Sequence, residues 1–316
     1  MRWQSALDPQ GPAAAHLYWL MGVFVVVCSV IWVLVMITLL VGLWRRGTTL
    51  QAVLTLNQRS EHRAGVAVAG ALGATVLTVA ALTITSYVST HSVAASPNAP
   101  IHLRIRGFQW WWEVTYLDPA ANRNFITANE IHIPVGQPVT IDLLAMDVIH
   151  SFWLPNLTSK QDLIPGRLNQ ITFSADRPGR YRGQCAEFCG LQHAHMALLV
   201  VAEDAAAFEQ WRERQVAPAA SATTPEQDHG RRVFTEKACA GCHAVRGTPA
   251  SGTLGPDLTH VGGREYIGAG LMPTTRGSLA AWIADPQSAK PGNNMPLVPL
   301  SAEELRSVSA YLAALR

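Results

Sequence analysis

Two long apolar stretches open the chain. Residues 16–44 contain no charged side chain and exceed the roughly 20 residues that a helix needs to cross a bilayer. Residues 64–88 are also uncharged but milder, and are rich in the small residues that let helices pack closely in lipid. Buried helices of soluble proteins rarely stay uncharged for so long. The pattern therefore predicts an anchor of two transmembrane helices over residues 16–88.

The segment between the two apolar stretches, residues 45–63, is basic. Its charged residues are Arg45, Arg46, Arg59, Glu61 and Arg63. Loops rich in Lys and Arg stay on the cytoplasmic side of a membrane. We therefore expect residues 45–63 to form a cytoplasmic loop of a two-pass protein in a bacterial inner membrane. Residues 1–15 and everything after residue 88 would then lie on the periplasmic or outer side.

After residue 88 the pattern changes to short runs in which apolar and polar residues alternate. This period of two is typical of strands with one buried face, and Gly and Pro residues separate the runs. The alternation is present in residues 101–106, 131–133 and 139–143, and further short runs are residues 168–173, 178–181 and 197–201. Many short strands joined by such turns predict a β-sandwich or small barrel over residues 89–213.

The end of the chain is different again. Residues 214–225 are small, polar and punctuated by proline, which predicts a flexible or semi-extended linker. Residues 226–316 then form a separate unit with a helical beginning and a closing helix over residues 302–316.

Composition and charge agree with a membrane protein that has large soluble parts. Of the 316 residues, 49% are hydrophobic and only 15% are charged. The formal net charge of +2 gives no indication of nucleic-acid binding. The five cysteines comprise Cys28 in the first apolar stretch and two close pairs, which points to cofactor binding.

The first cysteine pair belongs to the motif Cys-x3-Cys-x3-His-x2-Met, formed by Cys185, Cys189, His193 and Met196. Thiolate, imidazole and thioether are soft ligands that suit copper. Two thiolates can bridge two copper ions, and His150 is the best candidate for the second imidazole. A disulfide in an oxidising compartment and a zinc site are the alternatives. Met is a poor zinc ligand, and the spacing is not that of a zinc finger.

The second cysteine pair lies in Cys-x2-Cys-His, the attachment sequence of a c-type haem. Cys239 and Cys242 would bind the haem covalently, and His243 would be the proximal iron ligand. A distal thioether is available from Met295, which precedes the last predicted helix, or from Met272. The Asn-Met-Pro surroundings of Met295 match class I cytochromes c, which favours Met295.

Together these features resemble cytochrome c oxidase subunit II with a fused cytochrome c domain, as in caa-type haem–copper oxidases. The resemblance implies a two-helix transmembrane anchor, an all-β cupredoxin-like sandwich and an all-α class I cytochrome c domain. It also implies a dinuclear copper centre, CuA. The implied copper ligands are His150, Cys185, the carbonyl oxygen of Glu187, Cys189, His193 and Met196. His195 lies outside this pattern.

The same resemblance implies roles for three further residues. The aromatic run Trp110-Trp111-Trp112 is similar to a family segment beside the copper site, in which an exposed tryptophan receives electrons, and Trp110 matches that position. On a strand, Trp110 and Trp112 would share one face, and packing is the alternative role of Trp112. The Glu187 side chain would face a magnesium site shared with subunit I. Glu61 is similar to a glutamate at a proton-uptake entrance, although its flanking residues differ and a plain surface charge is the alternative.

In this family, electrons pass from an external donor to the haem, then to the copper pair, and then to a catalytic subunit I. That subunit reduces dioxygen to water and pumps protons. The oxygen site must be in another chain, because neither predicted span carries paired internal histidines. The donor would be a soluble cytochrome c or a quinol–cytochrome c reductase. Alternative functions are electron delivery in a CuA-containing nitric oxide reductase and a stand-alone membrane electron shuttle.

Overall fold

The computed structural model describes residues 4–45, 58–92 and 99–316, with residues 89–92 described by their backbone alone. The chain divides into two compact units, one of residues 16–94 and the other of residues 1–15 and 95–316.

Residues 16–94 contain the two long apolar helices that the hydrophobic pattern predicts. Helix α1 spans Pro12–Trp44 and helix α2 spans Gln58–Ser92. Both are long and apolar enough to cross a membrane. Helix α2 begins within the predicted cytoplasmic loop, so Glu61 lies in the first turn of a helix. The rest of that loop, residues 46–57, lies outside the described residues.

The larger unit begins with a β-sandwich made of two five-stranded sheets. The first sheet has the order β3-β2-β1-β5-β8, and the second has the order β4-β10-β9-β6-β7. The strands are β1 (Ile101–Phe108), β2 (Trp111–Leu117), β3 (Phe125–Ala128), β4 (Glu130–Pro134), β5 (Val139–Ala145), β6 (His150–Trp153), β7 (Gln161–Leu163), β8 (Asn169–Phe173), β9 (Gly179–Cys185) and β10 (Ala197–Glu203). All six predicted runs are found as strands.

The alternating residues of these strands form the core of the sandwich. Leu103 and Ile105 of β1 and Ile141 and Leu143 of β5 are fully buried. Strand β6 pairs with β9, and Phe152 lies opposite Cys185. This pairing brings the beginning of β6, at His150, to the end of the sandwich where β9 terminates at Cys185.

Six helices follow the sandwich. They are α3 (Ala205–Val216), α4 (Pro225–Glu236), α5 (Cys239–Cys242), α6 (Arg276–Ala284), α7 (Pro286–Ala289) and α8 (Ala302–Ala314), with a two-stranded sheet of β11 (Tyr266–Ile267) and β12 (Met272–Pro273). Helices α4 and α8 cross at Gly230, where a Cβ atom would lie 2.0 Å from the carbonyl oxygen of Ser307. A residue without a side chain is needed at this crossing.

The predicted linker, residues 214–225, is held along part of its length. Helix α3 continues to Val216, and the guanidinium of Arg246 donates hydrogen bonds to the carbonyls of Gln215 and Val216. The amide of Ala219 donates to the carbonyl of Arg246 at 2.9 Å. Composition alone suggested a flexible tether, but these bonds attach the segment to the helical region.

Candidate metal centre and haem cavity

The loop between β9 and β10 gathers the predicted copper ligands. The Sγ atoms of Cys185 and Cys189 lie 3.8 Å apart. His150 Nδ1 lies 4.0 Å from the Cys185 sulfur, and His193 Nδ1 lies 3.6 Å from the Cys189 sulfur. The remaining ligand atoms are also close, with Met196 Sδ 3.8 Å from Cys189 Sγ and the carbonyl oxygen of Glu187 3.2 Å from Cys185 Sγ.

These distances fit a soft metal centre. Bonds from a first-row metal to nitrogen and sulfur measure about 2.0–2.3 Å, so ligand atoms that share one tetrahedral ion lie roughly 3.3–3.8 Å apart. His150, Cys185 and Cys189 are buried and mutually close enough to hold a metal ion. The two imidazoles lie beside different sulfurs, as a pair of metal ions bridged by two thiolates would require.

The two thiols affect each other's ionisation. The hydrogen bond from Cys189 is the main cause that lowers the pKa of Cys185, to about 3, and His150 contributes in the same direction. The Cys185 thiolate in turn raises the pKa of Cys189. The pair therefore titrates as a unit, and a bound cation would favour the loss of both protons.

Asp147 orients the His150 imidazole. Its Oδ1 atom lies 2.7 Å from His150 Nε2, which leaves Nδ1 to face the sulfurs. Gly107 makes room for the ring, because a Cβ atom there would lie 3.0 Å from His150 Cδ2. Sequence analysis missed Asp147. The signal that could have found it is a carboxylate three positions before a predicted imidazole ligand.

Trp110 contacts the metal loop through its indole. The Nε1 atom of Trp110 and the amide of the Gln109 side chain each donate to the carbonyl of Cys189 at 2.8 Å. Trp110 lies in the turn between β1 and β2 and is only 7% exposed, so the prediction of an exposed tryptophan on a strand is wrong. Trp112 packs in the core against Phe152 and His150, which confirms the packing alternative.

A cavity of about 450 Å³ lies in the helical region, and Cys239, Cys242, His243 and Met295 line it. The His243 Nδ1 atom donates to the carbonyl of Pro256 at 2.7 Å, which leaves Nε2 to bind a metal. Burial lowers the pKa of His243, which favours the neutral imidazole that iron requires. Met272 is not among the described residues that line the cavity. These residues fit a covalently bound haem with His and Met ligands.

The sandwich supplies part of the cavity wall. Gln109, Trp110 and Trp111 line the cavity together with the helical residues. Trp110 therefore contacts both candidate sites, because its indole nitrogen bonds to the metal loop and the residue lines the cavity.

The other predicted site residues lie elsewhere. The Glu187 carboxylate is half-exposed, and its Oε2 atom lies 3.6 Å from Lys160 Nζ. His195 is exposed, and its Nδ1 atom bonds to the Gln192 side chain at 2.8 Å. Glu61 is exposed at the beginning of α2. The magnesium site at Glu187 and the proton-uptake role of Glu61 stay predictions.

Two family models match this chain. The model described as cytochrome c oxidase subunit II, periplasmic domain, matches residues 108–203. The cytochrome c model matches residues 227–316. These two ranges coincide with the sandwich that holds the metal loop and with the region that encloses the cavity. Together with the two apolar helices, the matches indicate a membrane-anchored protein with a periplasmic domain.

Several known proteins are similar to this chain. Cytochrome c oxidase subunit 2 of Alkalihalophilus pseudofirmus is 40% identical over 217 residues, which cover 68% of this chain and 61% of that protein. The corresponding protein of Bacillus sp. (strain PS3) is 34% identical over 226 residues, which cover 68% and 62%. The chain thus spans about three fifths of the length of these curated relatives.

Solved structures also match. The crystal structure of the periplasmic domain of subunit II of cytochrome oxidase (CoxB) of Bradyrhizobium japonicum is 32% identical, with a TM-score of 0.36. That match covers 38% of this chain and 96% of the other.

Proposed function

We propose that this chain, which matches the cytochrome c oxidase subunit II model in its sandwich and the cytochrome c model at its C-terminal side, delivers electrons to a respiratory oxidase. In this proposal a haem c bound to Cys239, Cys242, His243 and Met295 receives electrons and passes them to a CuA centre and then to subunit I, which reduces dioxygen to water with proton pumping. The protein would be an oxidoreductase only as part of that complex.

The observation that carries the proposal is the position of Trp110. Its indole N–H donates to the carbonyl of Cys189, and the residue also lines the cavity that contains His243 and Met295. One buried residue thus contacts both candidate cofactor sites. A donor held in the same chain also has a high effective concentration, so no separate docking step is needed before transfer.

The residues of the copper loop supply what a fast electron carrier needs. A dinuclear copper centre, when bound, shares one electron over two ions and so changes its geometry little. His150 begins β6 and Cys185 ends β9, while Cys189 and His193 lie in the loop that follows β9. Asp147 and Gly107 hold His150 in place. A site that is rigid before the electron arrives requires little reorganisation when its charge changes.

The partners follow from the same proposal. Subunit I and further oxidase subunits would bind the anchor and the copper-bearing domain. A soluble cytochrome c or a quinol–cytochrome c reductase would reduce the haem.

The location would be a bacterial inner membrane, with the copper and haem domains on the periplasmic side. Glu187 would add a magnesium ligand at the subunit I interface, and Glu61 would lie at a proton-uptake entrance.

Purification of the full chain from its native membrane in mild detergent tests the function. We expect a large haem-bearing subunit to co-purify and the preparation to consume dioxygen with a reduced external donor. The variant Cys189→Ser should lose dioxygen uptake and retain the haem c spectrum. Cys28→Ser is the matched control and should keep both, since Cys28 lies in the apolar helix α1.

Two outcomes would contradict the proposal. Reduction of nitric oxide without dioxygen uptake would assign the chain to a nitric oxide reductase. Purification without any catalytic subunit would leave a membrane-anchored electron shuttle.

A further inference from the structure

Lys290 is the one buried lysine of this chain. The other two lysines, Lys160 and Lys237, have half-exposed side chains and lie near carboxylates. Lys290 is 2% exposed, and within the described part of the chain no carboxylate forms an ion pair with it. Burial lowers the pKa of its ammonium to about 7. Negative charge on Cys189 acts in the opposite direction. A buried ammonium without a carboxylate partner is expensive unless other groups stabilise it, so its position needs an explanation.

Three backbone carbonyls surround the Lys290 ammonium. Its Nζ atom donates to the carbonyls of Trp110 and His195 at 2.7 Å each, and to that of Gly268 at 3.1 Å. An ammonium has three N–H donors, so all of them are satisfied. Hydrogen bonds with a charged donor are stronger than those between neutral groups.

The three acceptors come from parts of the chain that are far apart in sequence. Trp110 lies in the turn after β1, and His195 directly precedes the predicted copper ligand Met196. Gly268 lies between β11 and β12, in the helical region. Lys290 directly follows α7, and the segment after it leads to Met295. The ammonium therefore links the turn at Trp110 and the copper loop at His195 to Gly268 in the wall of the haem cavity.

Neighbouring contacts join the same two regions, the copper loop and the wall of the haem cavity, and this contact is called the junction. The Gln192 side-chain amide donates to the carbonyl of Pro291 at 2.8 Å, and the amide of Ala197 donates to the carbonyl of Ala269 at 3.0 Å. Gly292 lies against the indole, where an added Cβ atom would be 3.6 Å from Trp110 Cη2. These contacts seat residues 290–292 on the copper loop and cover Trp110 from solvent.

We propose that Lys290 is a positioning residue that clamps the cytochrome c domain onto the copper loop and holds Trp110 against the haem cavity. The inference rests on the proposed transfer of electrons from the haem to the copper centre. Without the ammonium, the carbonyls of Trp110, His195 and Gly268 would lose this donor. The junction would then open, and the distance between the two cofactor sites would vary.

The test uses the full chain, loaded with haem and copper, and compares Lys290→Met with the wild type. We expect electron transfer from the photoreduced haem to the copper centre to slow by about tenfold or more, because small displacements of reacting groups have large effects on rate. Haem and copper contents and spectra should stay unchanged. Lys237→Met is the matched control and should transfer at the wild-type rate, because an exposed ion pair contributes little.

Hydrogen exchange provides the second readout. The amides of Ala197 and Glu265 donate across the junction, to the carbonyl of Ala269 and to Glu130 Oε2. Both should exchange faster in Lys290→Met if the clamp has opened. Unchanged exchange would overturn the inference, whatever the transfer rate, because Lys290 would not be holding the junction together.

Two further results keep the test decisive. If Lys290→Met does not bind its cofactors, Lys290→Gln, which keeps two N–H donors but no charge, should speed exchange at the same amides, and wild-type exchange there would overturn the clamp. If the wild type itself transfers no electron from haem to copper, the proposed function fails. The exchange measurement then decides the role of Lys290 alone.

Discussion

At the scale of single residues, Asp147 connects the copper site to the tryptophan turn. Its Oδ1 atom bonds to His150 Nε2, and its Oδ2 atom accepts the amide of Gln109 at 2.6 Å. A carboxylate on one ring nitrogen fixes the tautomer of an imidazole and increases its strength as a ligand. The neighbouring Trp110 depends on the same turn for its bond to Cys189.

The variant Asp147→Asn tests this role. Asparagine keeps the shape but lacks the charge and one acceptor oxygen, so His150 should be held less firmly. We expect copper affinity to fall about 10- to 100-fold, measured by competition with a chelator. Asp204→Asn is the control, because Asp204 is exposed and its side chain makes no capping bond. Equal copper affinities in both variants would refute the role of Asp147.

The position of His243, the proposed proximal ligand of the haem, depends on Gly255. A Cβ atom at this position would lie 2.5 Å from His243 Cε1, so Gly255→Ala should displace the imidazole. We expect a changed absorption spectrum and reduction potential of the haem. Gly241→Ala is the matched control, because no atom lies within 4 Å of a Cβ atom there. A wild-type spectrum in Gly255→Ala would show that His243 does not bind the iron.

Sequence reasoning pointed to the candidate ligand residues because their side chains are rare and lie at short, regular spacings. It could not find Lys290, whose partner Trp110 is 180 positions away. The burial of Trp110 was missed for the same reason, because its cover comes from residues 290–292. Contacts between distant segments leave no local pattern.

At the scale of elements, the crossing of α4 and α8 holds the cytochrome c domain together. Val233 and Phe234 of α4 and Val308 and Tyr311 of α8 are buried in one cluster. The helices approach so closely at Gly230 that the backbone of Ser307 occupies the space of a side chain. Ser301 begins α8 with a capping box that also involves Glu304, which fixes where the helix starts.

Gly230→Ala should therefore separate the two helices. We expect the free energy of unfolding of the cytochrome c domain to fall by about 1–3 kcal/mol, as in other overpacked sites, measured by denaturant titration. The control Gly277→Ala lies in α6, where the nearest atom would be 3.8 Å away. It should be neutral or stabilise by about 0.5–1 kcal/mol, because alanine favours a helix. A similar result for both variants would contradict the close crossing.

Strands such as β1 were predictable because one face is buried and the alternation of apolar and polar residues records it. Their pairing was not, since β1 lies parallel to β5 and several strands separate them along the chain. The composition of residues 214–225 predicted a flexible linker. The hydrogen bonds that Arg246 donates to its backbone could not be predicted from composition.

At the scale of the whole molecule, the larger unit brings two cofactor sites to one junction. The metal loop closes one end of the sandwich, and residues of the same sandwich complete the wall of the haem cavity. The order of motifs along the chain already suggested a relay. The buried contact at Trp110 and the clamp at Lys290 emerge only from the folded chain.

The most direct test of this account is an electron-spin-resonance spectrum of the oxidised full chain, purified in detergent, with copper and haem quantified. The account predicts two copper ions and one covalently bound haem per chain, with a hyperfine pattern from one electron shared by two copper nuclei. A mononuclear copper signal, or zinc without copper, would contradict the assignment of His150, Cys185, Cys189, His193 and Met196 as ligands of a copper pair.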